Sequence, residues 1–182
     1  MRGGNGRVVA LAIALVIVVI ALVLRYSRSD TASVDTYVGG EPQLGEAGSE
    51  HTHMSMLVFV SGKLLDFSQP LYQLQNELVH FEDADGIFIH KHATGVTLTY
   101  LFESLEMELT SDCIRLRTGL EYCSDGKAKL QTYLNKEKFG DWDKYELRDG
   151  DKILIDYGNT SEFDHKLLLN TVPDLTPELL IN

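Results

Sequence analysis

The segment His51-Thr-His-Met-Ser-Met-Leu-Val-Phe-Val60 decides the fold, because it predicts the first β-strand of the folded domain. Ser61-Gly62 predicts a tight turn, and residues 63–67 predict the returning strand. Apolar residues recur at helical spacing from Val96 to Leu105, which predicts the one amphipathic helix. The other predicted strands are residues 78–82 and 87–92 around a turn at 83–86, then 130–134, and a last strand within 145–157.

The two cysteines are predicted to face each other across a hairpin. Arg117-Thr118-Gly119 fits a three-residue loop with glycine at the left-handed position. This register places Cys113 opposite Cys123, within disulfide range. The same register pairs Leu116 with Leu120, Arg115 with Glu121, and Ile114 with Tyr122. A structural disulfide is expected, which favours a location outside the cytoplasm; two buried free thiols and a soft metal pair are the alternatives.

The segment Leu147-Arg-Asp-Gly-Asp-Lys-Ile-Leu-Ile155 resembles the last turn and strand of β-grasp, ubiquitin-like domains, particularly the sulfur carriers. The resemblance implies an α+β fold, a β-grasp-like mixed sheet with one packed helix, over residues 51–158. No Gly-Gly pair follows the last strand, so a sulfur-carrier or conjugation role is not expected. The tail, residues 159–182, contains Pro173 and Pro177 and predicts at most a short helix.

Five of the six histidines cluster in the first half of the domain: His51, His53, His80, His90 and His92. On a strand, residues i and i+2 project to the same face, so each His-x-His pair presents two imidazoles side by side. Imidazole is a ligand for zinc, copper, nickel and iron. The sequence therefore predicts a metal site, for which copper and zinc are preferred; hydrogen-bonded or surface histidines are the alternative.

Convergence of the two histidine pairs requires the chain that enters the helix to lie beside the start of the first strand. We expect at least three of the five rings to place nitrogens within about 5 Å of a common point. We expect Met54 and Met56 to pack in the core, on the opposite face of the strand. The alternative is that they add soft thioether ligands, which would favour copper.

Four segments of the chain resemble small membrane-anchored archaeal proteins of ammonia-oxidising and related lineages. They are His51-Thr-His, Phe67-Ser-Gln-Pro70, His80-Phe-Glu and His90-Lys-His-Ala-Thr-Gly-Val-Thr-Leu. Such proteins often carry the label protein-disulfide isomerase. The resemblance covers about residues 51–158 and implies an envelope location. A thioredoxin-type isomerase uses Cys-x-x-Cys, whereas nine residues separate the two cysteines of this chain.

The amino terminus is predicted to anchor the chain in a membrane. Residues 8–24 are 17 consecutive Val, Ala, Leu and Ile residues, flanked by Arg7 and Arg25. At about 1.5 Å per residue, such a helix spans most of a hydrocarbon core of about 30 Å. We therefore assign residues 1–28 to a single transmembrane anchor and 29–50 to a flexible linker. A cleaved secretory signal ending near Thr31-Ala32-Ser33 is the alternative, and it also places the domain outside the cytoplasm.

Beyond Arg28 the chain carries 27 acidic and 12 basic residues, a net charge of −15. Such a surface repels phosphate backbones and anionic lipid, which argues against nucleic-acid binding. Asn159-Thr-Ser is a glycosylation sequon.

Three functions follow from these features. The first is a membrane-tethered, extracytoplasmic copper- or zinc-binding module for metal acquisition, delivery or buffering. The second is an envelope scaffold domain that binds another envelope protein without metal. The third and least favoured is a thiol-disulfide oxidoreductase. The chain has no His-Glu-x-x-His, Gly-x-Ser-x-Gly or phosphate-loop motif, so catalysis is not expected.

Overall fold

The computed structural model describes residues 43–175 of the protein. The predicted membrane anchor, residues 1–28, lies outside the described residues. Among the helices of the described part, none is long and apolar enough to cross a bilayer. The anchor therefore stays a prediction from the sequence.

Within residues 43–175 the chain forms ten strands and two α-helices. The strands are β1 Thr52–Val60, β2 Lys63–Leu64, β3 Val79–His80, β4 Phe88–Lys91, β5 Glu108–Leu109, β6 Cys113–Arg115, β7 Glu121–Cys123, β8 Lys129–Leu134, β9 Glu137–Lys138 and β10 Lys152–Gly158. The helices are α1 Leu98–Ser104 and α2 Glu162–Leu169, and a 3-10 turn covers Pro70–Tyr72. Seven strands form the main sheet, in the order β3-β4-β1-β10-β8-β9 with β2 beside β1, and β5-β6-β7 form a second sheet.

The parallel pair β1 and β10 forms the centre of the main sheet, with Leu57 opposite Leu154. β4 runs antiparallel to β1 on one side, and β8 runs antiparallel to β10 on the other. The central strands are buried on both faces, which explains the unbroken apolar runs Met56–Val60 and Ile153–Ile155. Together these strands provide a rigid base for the side chains at their ends.

Successive residues of β1 lie on opposite faces of the main sheet. Met54, Met56 and Val58 belong to the main core, which also contains the buried side of α1. Leu57 belongs to a smaller apolar cluster on the other face, formed with Leu154, Tyr133 and Val172 and flanked by Leu168 and Leu169 of α2. Because His53 has the parity of Leu57, the predicted histidine pair lies on the face that α2 covers in part.

The cysteine hairpin has the predicted register. Cys113 pairs with Cys123 between β6 and β7 and forms a disulfide with it. Gly119 has a positive φ of 84°, as expected for the left-handed position of the loop. The predicted disulfide is confirmed, so neither sulfur is a free thiol or a thiolate ligand.

Residues 43–50, assigned from the sequence to the flexible linker, pack against the domain. Gly45 N–H donates to Thr94 O at 2.9 Å, and Gly48 N–H donates to His92 O at 2.7 Å. Gly95, at φ 76°, allows this approach, since an added Cβ would lie 2.1 Å from Gln43 O. The packed domain thus begins before His51, at the first described residues.

The predicted α+β class with a mixed sheet is confirmed. Residues 78–82 and 87–92 contain the predicted antiparallel pair, β3 and β4. A parallel pair β1–β10 flanked by antiparallel β4 and β8 is compatible with β-grasp order, which stays a prediction. The short helix predicted in the tail is α2, and His165 of this helix contacts Asp156 of β10 through Nε2 and Oδ2 at 3.0 Å.

Candidate metal centre

Strand register brings the two histidine pairs together on one face of the main sheet. His53 of β1 lies opposite His90 of β4, and His80 of β3 also lies opposite His90. Thr52 pairs with Lys91, so His51 and His92 follow as neighbours at the ends of the same strands. The three strands thus present all five histidines on adjacent positions of one surface.

The five rings form a closed loop of contacts. Ring centroids are 4.6 Å apart for His53 and His90, 4.8 Å for His51 and His53, and 4.8 Å for His51 and His92. His80 closes the loop, at 4.9 Å from His92 and 6.1 Å from His90. The prediction that at least three of the five rings converge is confirmed by His51, His53 and His90.

Three of the rings, those of His51, His53 and His90, offer nitrogens that all lie within 4.8 Å of one another. Two nitrogens bound to one tetrahedral ion at about 2.0–2.1 Å would be about 3.4 Å apart. Side-chain shifts of about 1 Å would therefore bring the three nitrogens to coordination distance. These three histidines could hold a metal ion.

Burial increases from the rim of the histidine cluster to its interior. His53, His80 and His90 are buried, His92 is half-buried, and His51 is exposed. The Nε2 atom of His53 is inaccessible to solvent and has no hydrogen-bond partner among the described residues. A buried polar atom without a hydrogen-bond partner costs free energy. A metal ion bound to this nitrogen would supply the missing partner.

The same burial favours the neutral imidazole at His53, His90 and His92. Desolvation is the largest cause that lowers the pKa of His53, and the neighbouring His51 lowers it further. Desolvation also lowers the pKa of His90 and His92, although the Glu82 carboxylate opposes this in both. A neutral imidazole has a free lone pair, which is the form that binds a metal ion.

Polar groups around the histidine cluster fix the orientation of its rings. His80 Nδ1 lies 2.7 Å from Asn76 O, and the Glu82 carboxylate lies 3.3 Å from His80 Nε2 and 3.2 Å from His90 Nδ1. The backbone N–H of His53 donates to Asp149 Oδ1 at 2.9 Å. Such contacts are the usual outer partners of metal-binding histidines.

Behind the histidine cluster, the buried Lys91 holds three segments together. Its Nζ lies 2.6 Å from Glu50 Oε2 and 3.1 Å from Glu146 Oε1, and it donates to Leu147 O at 2.7 Å. Lys91 stands between His90 and His92 in the chain, and Glu50 directly precedes His51. The ion pair therefore ties the exposed end of the cluster to β4.

Several other predicted residues lie away from the histidine cluster. Met54 and Met56 are fully buried in the main core, which confirms the core interpretation and removes thioethers from the site. The disulfide belongs to the second sheet. Asn159 is exposed, and its glycosylation stays a prediction.

Sequence reasoning did not assign Glu82, Asn76 or Asp149 to the cluster. Glu82 had a usable signal, since His80-Phe-Glu82 repeats the i, i+2 spacing of the histidine pairs. The role of Asp149 depends on a contact between segments that are distant in the chain, since His53 and Asp149 are 96 positions apart. No local pattern identifies such a partner, and the contact of Asn76 with His80 is made by a backbone carbonyl, which carries no residue signal.

The chain was also compared with known proteins. No protein-family model matches it, and neither a curated protein nor a solved structure does. The function is therefore argued from the residues of the site.

Proposed function

We propose that the protein is a membrane-tethered, extracytoplasmic metal-binding module that acquires, delivers or buffers copper or zinc. The observation that carries the proposal is the cluster of three imidazoles with nitrogens within 4.8 Å, one of which is buried without a hydrogen-bond partner. The tether is the apolar segment, residues 8–24, and the disulfide favours an oxidising compartment.

The chemistry of the donors favours a borderline divalent ion. Nitrogen ligands suit Zn²⁺ and Cu²⁺, whereas Ca²⁺ and Mg²⁺ prefer oxygen ligands. Cu⁺ is selected by thiolates and thioethers, and both methionines near the site are packed in the core. We therefore expect Zn²⁺ and Cu²⁺ to bind, with Cu²⁺ the tighter of the two.

The gradient of burial fits uptake and release of an ion. His51 at the exposed rim is accessible to an incoming ion, and buried His53 and His90 supply the interior ligands. The acidic surface adds a favourable potential, because a net charge of −15 beyond Arg28 concentrates cations near the domain.

Equilibrium dialysis of the full-length, untagged chain in detergent tests this proposal. After removal of metal with a chelator, we expect stoichiometric binding of Zn²⁺ and Cu²⁺ with a Kd below about 1 μM, and a lower metal content in His53→Ala, which lacks one of the three histidines. The absence of stoichiometric binding by the folded wild-type chain would refute the proposal.

His165→Ala provides the matched control. His165 is as buried as His53, at 4% exposure, and is on the same face of the main sheet, but outside the cluster. If His165→Ala retains the metal that His53→Ala loses, the loss is due to the missing ligand and not to a weakened fold.

A further inference from the structure

The proposed three-histidine site leaves a second set of ligands beside it. His80, His92 and Glu82 adjoin the site, so the cluster contains five imidazoles and one carboxylate. A tetrahedral zinc ion takes four ligands. We infer that the cluster binds two metal ions, the second between His80, His92 and Glu82, an inference that rests on the proposed function.

The contacts of His80 identify which of its nitrogens is available. His80 Nδ1 lies 2.7 Å from the carbonyl oxygen of Asn76, which can only accept, so Nδ1 carries the hydrogen. In the neutral ring Nε2 then bears a lone pair, and it faces Glu82 Oε2 at 3.3 Å. Two acceptors in this arrangement need a proton or a metal cation between or beside them, and a divalent ion can take this place.

Glu82 links the two ion positions. Its other oxygen, Oε1, lies 3.2 Å from Nδ1 of His90, so His90 can donate from Nδ1 and present Nε2 to the first ion. One carboxylate oxygen thus orients a ligand of the first ion, while the other oxygen is a ligand of the second.

His92 completes the second set of ligands. Its ring centroid is 4.9 Å from that of His80 and 4.8 Å from that of His51. The His80–His92 separation is close to the 4.6–4.8 Å between the rings of the first site. Both His92 and Glu82 are partly exposed, which leaves the second ion accessible from solvent.

Metal stoichiometry tests the inference directly. The full-length chain in detergent is stripped with chelator, dialysed against Zn²⁺ and analysed for metal and protein. We expect two zinc ions per wild-type chain, and one per chain in Glu82→Gln, which keeps the size of the side chain and removes its charge. His92→Ala should also retain one ion, and because its side chain is partly exposed, the substitution should leave the fold intact. Circular dichroism checks that the fold is retained.

The number of bound zinc ions tests the second site separately from the proposed function. One ion in the wild-type chain, or two ions in both Glu82→Gln and His92→Ala, would overturn the second site and leave the proposed function intact. No bound zinc in the folded wild-type chain would overturn both. A second readout uses Cu²⁺: the paramagnetic resonance signal of the first equivalent should broaden when the second is added. A signal that only doubles in intensity, without broadening, would contradict two adjacent ions.

Discussion

Replacement of Lys91 by methionine tests whether the ion pair behind the cluster supports the fold and the site. Lys91 has an exposed fraction of 1%, and its ammonium is shared by Glu50 and Glu146. Lys91→Met keeps most of the length of the side chain and removes the charge, so two carboxylates lose their buried cation.

The expected magnitude follows from the burial of the three side chains. Removal of one partner from a buried ion pair costs about 3–5 kcal/mol, because a charge is left uncompensated. The side chains of Glu50 and Glu146 are 28% and 25% exposed, so water reaches them in part. We therefore expect a loss of about 2–3 kcal/mol in the free energy of unfolding, below the full cost.

Urea denaturation followed by circular dichroism measures this loss. Lys166→Met is the matched control, because Lys166 pairs with Glu162 at 3.7 Å on the exposed surface. This substitution should change the free energy of unfolding by less than about 0.5 kcal/mol. Lys91→Met should also weaken zinc binding by about 10-fold, since Glu50 positions the chain at His51. A change in stability below about 0.5 kcal/mol for Lys91→Met would refute the reasoning.

Three further results are expected. The metal-free domain should lose stability as the pH falls below 6.5, the ordinary pKa of histidine. Below this pH the histidines of the unfolded chain gain protons, whereas His53, His90 and His92 of the folded domain have lowered pKa values and stay neutral. Urea midpoints at pH 7.5 and 5.5 measure this loss, and an unchanged midpoint would contradict it. Replacement of Cys113 and Cys123 by serine should lower the free energy of unfolding, measured with urea, by about 2–3 kcal/mol. The zinc stoichiometry should not change, and a loss of zinc would show that the metal site depends on the disulfide. Gly95→Ala should destabilise the domain by about 1–3 kcal/mol, since the new Cβ would clash with Gln43 O. Gly126→Ala is the control, because a Cβ at Gly126 has open space around it and should not destabilise the domain. Equal melting temperatures for the two variants would contradict the packing of residues 43–50.

Local periodicity predicted much of this domain. Two-residue alternation placed His53 on one face of β1 and Met54 on the other, and the loop at Gly119 set the register of the cysteine hairpin. These predictions succeeded because strand parity and turn chemistry depend on neighbouring residues only. Whether the two histidine pairs meet could not be predicted from local patterns, because the answer depends on the pairing of β4 with β1.

Contacts between distant segments could not be predicted. Lys91 is followed by 54 residues before Glu146, and the sequence around either residue is that of an ordinary exposed charge. Their pairing depends on the main sheet, which buries Lys91 on the face opposite His90. The docking of α2 through His165 and Asp156 has the same origin, since a polar pair gains its position only after the sheet and the helix are packed.

X-ray absorption spectroscopy of the zinc-loaded, full-length protein tests the central claim most directly. The account predicts a shell of imidazole nitrogens at about 2.0–2.1 Å, two to three for each zinc, with the outer-ring scattering that imidazole produces. It also predicts no sulfur shell at about 2.3 Å, because the cysteines are bonded to each other and the methionines are packed in the core. A sulfur shell, or a shell of oxygen ligands without imidazole scattering, would contradict the histidine metal centre.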